Sequence, residues 1–301
     1  MITRVRVKRS KSPRCGVGHA ISHHGEILQG QFLEEDGQLH RALVTLPRRD
    51  LLSMAHFQPT STDGVIVLPN DRTKAQTAAS VTMRYLGVKR GGGYLYIMSN
   101  VVPGLGLGSS TADVVATIRA TARAFGKRLS AEEIGKLAVA SEIASDSTMF
   151  DRPVVFRQRE GTVAEYYSHP LPPMEVIGFS AGSSVDTLKF KPAEYDQSDI
   201  ARFGVLRKAL RNAINTQNVA LLGRVATISA RINQRYLRKD SFEELEALVG
   251  QVGAVGLQVA HSGSVVGIIF DRQAIDLEAR IDKVLQRLEQ LGFSETWRFS
   301  V

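Results

Sequence analysis

The chain has 301 residues, with 38 Lys and Arg against 30 Asp and Glu, which gives a formal charge of +8. A hydrophobic content of 43% and a charged content of 23% exclude disordered, collagen-like and disulfide-framed chains. Cys15 is the single cysteine and cannot form an internal disulfide, so we expect a reducing compartment and a cytoplasmic location.

The basic excess is concentrated at the start of the chain, where six cations precede the first acid: Arg4, Arg6, Lys8, Arg9, Lys11 and Arg14. A nucleic-acid arm, a targeting peptide and a charged strand face are the three interpretations. No apolar run follows, as a signal peptide requires, and no stretch has the length of a membrane span. Val5 and Val7 alternate with cations at a period of two, which favours a strand over residues 2–9.

Further strands are predicted along the first half, and each is bounded by turn residues. Asn70 or Asp71 is expected to cap the first helix, and Ser130 with Glu133 forms the pattern of a capping box. The predicted strands are 2–9, 42–57, 65–68, 94–99, 154–156 and 162–167, and residues 26–33 are predicted as a short strand or a turn. The predicted helices are 72–86, 109–125 and one that begins after Ser130.

Three prolines, at 170, 172 and 173, interrupt the pattern and predict a boundary between domains 1–170 and 171–301. The second half begins with a predicted strand at 175–179. Helices at 199–215, 217–235 and 241–255, a strand at 265–270 and a helix at 275–291 follow. This mixed order predicts an α+β protein rather than a doubly wound sheet.

The strongest chemical signal is a glycine-rich segment that enters a predicted helix. Alternating glycines let backbone N–H groups approach a polyanion, and the helix N-terminus favours negative charge. A Walker loop would end in Gly-Lys-Ser/Thr and a dinucleotide fingerprint would read G-x-G-x-x-G, but this segment reads G-x-G-x-G. A turn that binds nothing is the alternative. The segment comprises Pro103, Gly104, Leu105, Gly106, Leu107, Gly108, Ser109, Ser110 and Thr111.

This string resembles the second motif of the GHMP kinases, small-molecule kinases in which the loop embraces the ATP phosphates. The resemblance implies ATP and Mg²⁺ as cofactors, with Ser110 as a Mg²⁺ ligand. Residues 260–267 resemble the third motif of the family. Residues 25–30 (Gly-Glu-Ile-Leu-Gln-Gly), 258–263 and 185–188 resemble the L-threonine kinase branch of the cobalamin pathway. The implied GHMP kinase fold has an N-terminal ribosomal S5 domain 2-like half and a C-terminal ferredoxin-like α/β half.

Two acids at the end of the third predicted helix are candidates for catalysis. Glu142 and Asp146 are four residues apart, so both lie on one face if the helix continues. By resemblance to the family, Asp146 is the candidate base and Glu142 the candidate Mg²⁺ ligand. The alternatives are a capping role for Asp146 and a solvated helix position for Glu142.

Substrate contacts are predicted from residues in or beside the matching motifs. His23 and His24 stand near the position of a lysine in mevalonate kinases, and either contacts phosphate or substrate or is structural. Glu26 and Asp186 are the acids expected for a substrate ammonium group, although Glu26 has an alternative role as a buried structural carboxylate. Thr187, Ser262 and backbone amides near Gly263 are the expected donors for a substrate carboxylate. No spacing matches a zinc signature.

Three functional hypotheses follow. The first is an ATP- and Mg²⁺-dependent kinase that phosphorylates the side-chain hydroxyl of a small amino acid, L-threonine first. The second is a GHMP kinase that acts on serine, homoserine or another small alcohol. The third is a non-catalytic sensor or RNA-binding protein with this fold. The expected partners are ATP and a hydroxy amino acid, without membrane or nucleic acid, and a homodimer is left open.

Overall fold

The computed structural model describes residues 14–182, 193–236, 238–239, 241–260 and 263–301. The strand predicted over residues 2–9 lies outside these ranges. The elements in chain order are β1 (Gly16–Leu33), β2 (Leu39–Thr60), β3 (Gly64–Leu68), α1 (Thr73–Tyr85), β4 (Gly92–Ser99), α2 (Ser109–Ala124), α3 (Ala131–Glu142), β5 (Val154–Arg157), β6 (Thr162–Tyr166), β7 (Met174–Ser180), α4 (Gln197–Asn215), α5 (Val219–Asn233), α6 (Phe242–Gln251), β8 (Gly256–Val259), β9 (Val265–Asp271), α7 (Leu277–Gln290) and β10 (Thr296–Ser300).

Strands from both halves of the chain join one mixed sheet in the order β10-β7-β9-β8-β1-β2-β4-β3. The short hairpin of β5 and β6 attaches to β2 at Leu43. The strand pairs of this sheet are antiparallel, except that β3 and β4 are parallel. Because β8 pairs with β1 at Glu26, the predicted boundary at residue 170 divides one continuous sheet and stays a prediction.

The two ends of the sheet are covered differently. In β7, Val176 packs toward α4 and α5 while its neighbour Ile177 packs toward α6 and α7, so both faces are buried there. At the other end, α1, α2 and α3 cover one face, to which Phe57 of β2 and Leu95 of β4 contribute. The alternation of buried and exposed residues along this part of β2 is the pattern of a sheet with one solvated face.

Glycines bring α2 very close to the sheet. A Cβ added at Gly16 or Gly18 of β1 would overlap the backbone of α2. The helix presents small residues to this surface, including Ala116 and Ala120, which are fully buried. This close approach holds α2 against β1, and the glycine-rich segment leads into the start of that helix.

Most predicted elements are confirmed, with four corrections. Strand β1 begins at Gly16, ten residues before the short strand or turn predicted over 26–33. The capping box of Ser130 and Glu133 opens α3 as predicted. The residue before α1 is Arg72, without a side-chain cap bond, so the predicted cap by Asn70 or Asp71 is wrong. The helix predicted over 241–255 ends at Gln251 and gives way to β8, and β10 was not predicted at all. Among the described residues, no helix is long and apolar enough to cross a membrane.

Candidate functional site

The glycine-rich segment connects β4 to α2 as a series of turns. Gly104, Gly106 and Gly108 have φ values of 85°, 86° and 72°, in the left-handed region that favours glycine. Gly108 precedes α2 and leaves its first turn without a side-chain cap. The N–H groups of Ser109 and Ser110 are therefore available to an anion at the positive end of the helix.

A second glycine turn from the end of the chain packs against this segment. The carbonyl of Leu105 accepts hydrogen bonds from the N–H groups of Ser264 (3.1 Å) and Val265 (3.3 Å). A Cβ on Gly106 would lie 2.6 Å from the Cα of Gly263, so both positions need glycine for this approach. The segments that resemble the second and third motifs thus pack directly against each other through their backbones.

The two candidate carboxylates meet at the start of α2. The Ser110 hydroxyl donates to Oε2 of Glu142 at 2.8 Å. Oγ1 of Thr111 lies 2.9 Å from Oε1 of Glu142 and 3.2 Å from Oδ2 of Asp146. The Thr111 hydroxyl proton is therefore shared between the two carboxylates. Glu142 is buried, and the side chain of Asp146 is 20% exposed. The glycine-rich segment, the hydroxyls of Ser110 and Thr111 and the two carboxylates therefore lie together in one site.

A turn rather than a continued helix brings Asp146 beside Glu142. Helix α3 ends at Glu142, and Ile143 follows with φ 73° and ψ −39°, a strained conformation for a β-branched residue. The condition for one shared helix face, that the helix continues to Asp146, is therefore not met. Two hydrogen bonds hold the turn in place, from the Ser147 N–H to Thr45 Oγ1 and from the Ser145 N–H to the Gln158 carbonyl.

His23 lies between the glycine segment and Asp146. Its Nε2 is 2.8 Å from Oδ2 of Asp146, in an ion-pair contact without the alignment of a hydrogen bond. Burial opposes a charged ring, but the charge of Asp146 outweighs it and raises the pKa of His23 to about 9. The Gly25 N–H donates to Nδ1 at 3.0 Å, which favours the neutral ring with its proton on Nε2. In both forms Nε2, the ring nitrogen that faces Asp146, carries a proton.

This proton decides whether the cluster can hold a metal. Within the described part of the chain, His23, Glu26 and Asp146 offer ligand atoms within 4.8 Å of one another. A histidine ligates through an unprotonated nitrogen and donates its other N–H to a partner. Here the Gly25 N–H occupies the lone pair on Nδ1, so Nε2 carries the proton and is not a ligand. The arrangement suits an ionised Asp146 better than a transition metal.

The environments of the two acids set their charges. Burial raises the pKa of Glu142 to about 7, and the neighbouring charge of Asp146 adds to this shift. Burial also acts to raise the pKa of Asp146, but His23 outweighs it and holds the value below the usual range. Lys74 of α1 lowers the pKa of both acids through its charge. Asp146 is therefore an anion at neutral pH, and Glu142 gains from a cation close by.

Sequence reasoning missed Lys239, which lies beside this site. It is buried, and its Nζ donates to the carbonyl of Gly263 in the second glycine turn. Burial lowers the pKa of Lys239 to about 8, while the charge of Glu26 acts in the opposite direction. Lys239 belongs to none of the motifs quoted above. Its place beside the site becomes visible only in the structure, where it is buried next to the third motif.

His24 faces away from the acids. It is fully buried, with its ring 5.6 Å from that of Trp297 and 5.0 Å from that of Phe299. Nδ1 lies 2.9 Å from Oε1 of Gln258. Since adjacent strand residues point to opposite faces, the structure brings His23 into the site and leaves His24 in the core.

Comparisons with known proteins show what this chain resembles. Residues 73–157, from the start of α1 to the end of β5, match the family model described as the GHMP kinases N terminal domain. The chain is 32% identical over 194 residues to the L-threonine kinase of Salmonella typhimurium, an alignment that covers 64% of each chain. It is 30% identical over 185 residues to the L-threonine kinase of Citrobacter freundii, covering 60% of this chain and 64% of the relative. The chain is therefore similar to the GHMP kinases over residues 73–157 and to the two L-threonine kinases over 60–64% of its length.

Solved structures show the same GHMP kinase fold. A homoserine kinase from Cytophaga hutchinsonii has a TM-score of 0.68 and 14% identity, covering 99% of this chain and 96% of its own. A mevalonate diphosphate decarboxylase from Enterococcus faecalis has a TM-score of 0.71 and 15% identity, covering 95% and 97%. Because this fold hosts a decarboxylase as well as kinases, function must be argued from the site. The alignments with the L-threonine kinases span just under two thirds of those proteins.

The predicted substrate residues are only partly described. Glu26 is buried and lies close enough to His23 and Lys239 to influence both by its charge. Gly263 lies against the glycine segment. Asp186, Thr187 and Ser262 lie outside the described residues. Ser180 shares a 2.7 Å hydrogen bond with Ser264, so it supports the second glycine turn.

Proposed function

We propose that this protein is an ATP-dependent kinase that phosphorylates the side-chain hydroxyl of a small amino acid, with L-threonine as the first candidate. The observation that carries the proposal is the meeting of the glycine segment, Ser110, Glu142 and Asp146 at one helix N-terminus. The similarity to two L-threonine kinases supports the choice of acceptor. The exposed thiol of Cys15 suits a reducing cytoplasm as the place of action.

The backbone of the glycine segment is suited to the phosphates of ATP. Its left-handed glycines and the uncapped first turn of α2 present N–H groups without interfering side chains. The second glycine turn, through Gly263, supports the segment from behind. Held in this way, the terminal phosphoryl group would lie next to Ser110 and the two acids.

The donor set at Ser110 and Glu142 fits Mg²⁺. A hydroxyl and a carboxylate are the hard oxygen ligands that Mg²⁺ takes beside phosphate oxygens. The carboxylate of Glu142 is buried, and its raised pKa reflects a charge that lacks full compensation from the side chains around it. Mg²⁺ bound here would neutralise charge on the transferring phosphoryl group.

Asp146 is placed to accept the proton of the acceptor hydroxyl. In the transfer, the hydroxyl oxygen forms a bond to the terminal phosphorus, the bond from phosphorus to the bridging oxygen of ADP breaks, and the hydroxyl proton goes to Asp146. His23 keeps Asp146 ionised before the transfer. Thr111 orients the carboxylate through a hydrogen bond to Oδ2.

The test is incubation with ATP, Mg²⁺ and a panel of L-threonine, L-serine, L-homoserine and ethanolamine. ADP formation is measured together with ³¹P NMR of the phosphorylated product. We expect the highest kcat/KM for L-threonine and a phosphate ester on its side-chain oxygen. A preference for L-homoserine or L-serine would keep the kinase and change its acceptor, and ADP formation at background level with every alcohol would refute the proposal.

A further inference from the structure

A cavity of about 320 Å³ lies beside the C-terminal half of α2 and the turn that leads to α3. Four cations line it: Arg119, Arg123, Lys127 and Arg128. We call this cavity the basic cleft. Along α2, the helix rises by about 12 Å from Thr111 to Arg119 and by about 18 Å to Arg123. The basic cleft is therefore separate from the glycine segment at the other end of the helix.

The positive charge of the basic cleft is not balanced by acidic partners. In the ranges that the structure describes, none of its four cations forms an ion pair with an Asp or Glu side chain. Asp151, an exposed acid at the cleft, acts on Arg119 only through its charge. Arg207, by comparison, lies 2.7 Å from Glu34 and 2.7 Å from Glu165. Since desolvated charges are normally paired, this cleft has the electrostatics of a site for an anion.

The two arginines on α2 are held in place by backbone carbonyls. Arg119 donates to the carbonyl of His19 at 2.8 Å and to the carbonyl of Met149 at 3.2 Å. Arg123 donates to the carbonyl of Val17 at 2.6 Å. Burial lowers the pKa of Arg119, and the charge of Arg123 acts in the same direction. A guanidinium group has more N–H donors than these contacts use, so both arginines are oriented and keep donors for a ligand.

Apolar side chains share the lining of the basic cleft with the cations. Ile134 and Met149 are buried, and Leu129 is half-buried. Apolar walls with a few charged groups, in a cavity of this volume, are typical of a small-molecule site. Guanidinium groups bind phosphate oxygens bidentately. The lining therefore fits a ligand that carries both a phosphate and a small organic group.

We propose that the basic cleft binds a phosphorylated small molecule, a phosphomonoester whose dianion contacts Arg119 and Arg123 and whose organic group packs on Leu129 and Ile134. Because the cleft is separate from the glycine segment, both can be occupied at the same time. The proposal concerns binding at the cleft and does not depend on the kinase activity proposed above.

RNA is the other polyanion that a basic surface could bind. The Arg14 N–H donates to the Ala124 carbonyl at 3.2 Å, so residue 14 lies beside the end of α2. Five more cations precede it in the sequence, outside the described residues: Arg4, Arg6, Lys8, Arg9 and Lys11. An RNA strand engages successive phosphates along an extended groove and stacks its bases on aromatic side chains. The described lining is a single cavity without aromatic residues, which favours a small ligand.

Isothermal titration calorimetry with phenyl phosphate and with inorganic phosphate tests the proposal. An excess of a non-hydrolysable ATP analogue and Mg²⁺ is present, so that the glycine segment is occupied. We expect phenyl phosphate to bind with a dissociation constant of about 1 mM or lower. It should bind several-fold more tightly than inorganic phosphate, because only phenyl phosphate covers the apolar lining.

Variants of the cleft locate the binding. Arg119→Gln should weaken binding of phenyl phosphate by about tenfold. The double variant Lys127→Gln/Arg128→Gln removes two side chains without a described hydrogen bond, and serves if Arg119→Gln is poorly folded by circular dichroism. The matched control is Lys136→Gln, because Lys136 is an exposed cation on α3 outside the cleft. Lys8→Gln/Arg9→Gln measures the contribution of the N-terminal cations.

Weaker binding in the cleft variants, with wild-type affinity in Lys136→Gln and in Lys8→Gln/Arg9→Gln, supports the proposal. No binding heat with either probe at up to about 10 mM refutes it. Wild-type affinity in both cleft variants also refutes it, because the anion would then bind elsewhere. Equal affinity for the two probes refutes an organic ligand. Salt-dependent binding of a mixed-sequence RNA, without binding of phenyl phosphate, would identify RNA as the occupant instead.

Discussion

Asp146 has the surroundings of a base that stays ionised until a proton arrives. His23 lies 2.8 Å away and Thr111 donates to the same oxygen, so the carboxylate is both charged and oriented. Asp146→Asn keeps the shape of the side chain and removes its capacity to accept a proton. We expect kcat to fall by about a hundredfold or more, with the ATP dissociation constant within about threefold of wild type.

Steady-state kinetics and calorimetric titration with a non-hydrolysable ATP analogue measure the two effects separately. Asp151→Asn is the matched control, because Asp151 is an exposed acid five residues further along the same segment. Its kcat should equal that of the wild type. A kcat for Asp146→Asn close to the wild-type value would remove Asp146 from the role of base.

His24 makes folding sensitive to acid. Burial lowers its pKa to about 3, from 6.5 in an unfolded chain, and the nearby charge of Arg48 acts in the same direction. Between these values the unfolded chain binds a proton that the folded chain does not. The free energy of unfolding therefore decreases as the pH falls from 6.5 towards 3, by up to about 1.4 kcal/mol per pH unit from this residue.

Urea unfolding at several pH values between 6.5 and 4.5 measures this dependence. His24→Asn keeps a donor near Gln258 and cannot titrate, so its slope against pH should be smaller than that of the wild type. His169→Asn replaces an exposed histidine and should keep the wild-type slope. Equal slopes for wild type and His24→Asn would show that His24 does not cause the acid sensitivity.

The sequence predicts site residues where a motif surrounds them and misses them where none does. Ser110 and Gly106 follow from the spacing of the glycine segment, and the structure places both in the site. Lys239 stands outside every motif, and its position depends on packing of a segment whose fold no local pattern encodes. His23 and His24 look alike in sequence, and only the strand register separates their surroundings.

At the scale of elements, the glycine segment depends on backbone shape as well as on motif chemistry. Gly108 has a φ of 72°, and a Cβ there would overlap the His23 ring. Gly126, beyond the other end of α2, has a φ of 68° with open space around it. Gly108→Ala and Gly126→Ala therefore share a conformational cost of about 1–2 kcal/mol, and only Gly108→Ala also displaces His23.

We expect Gly108→Ala to weaken ATP binding by about tenfold or more, because a shifted ring or loop disturbs the start of α2. Gly126→Ala should lower the melting temperature similarly and leave ATP binding unchanged. Calorimetric titration and thermal unfolding of both variants measure these effects. Similar ATP affinities in the two variants would mean that the contact between Gly108 and His23 does not shape the phosphate site.

The sequence predicts the helices and strands that have a strong hydrophobic periodicity or a capping residue. It does not predict the strands that form only because they pair with strands distant in sequence. Helix α3 carries its own start signal in Ser130 and Glu133. Strand β8 has only four residues, Gly256–Val259, and is a strand because β1 and β9 lie on either side of it. Strand β10 likewise exists through pairing with β7. Neighbours far away in sequence decide these two strands, so no local window contains the information.

For the whole molecule, the continuous sheet has a consequence for unfolding. Phe203 of α4 is fully buried and packs on Gly30 of β1, where a Cβ would lie 2.5 Å from its ring. Its ring is also 5.9 Å from that of Phe32. A helix from the second half of the chain thus completes the core around a strand from the first half, and neither half keeps its apolar surface covered when the other unfolds.

We therefore expect a single unfolding transition in calorimetry, with equal calorimetric and van't Hoff enthalpies. Phe203→Ala should cost about 3–5 kcal/mol and lower that one melting temperature by about 5–10 °C. Val205→Ala, two residues away and exposed, should change the free energy of unfolding by less than about 0.5 kcal/mol. Two separate transitions, of which Phe203→Ala shifts only one, would instead show that the chain unfolds in two parts divided near residue 170.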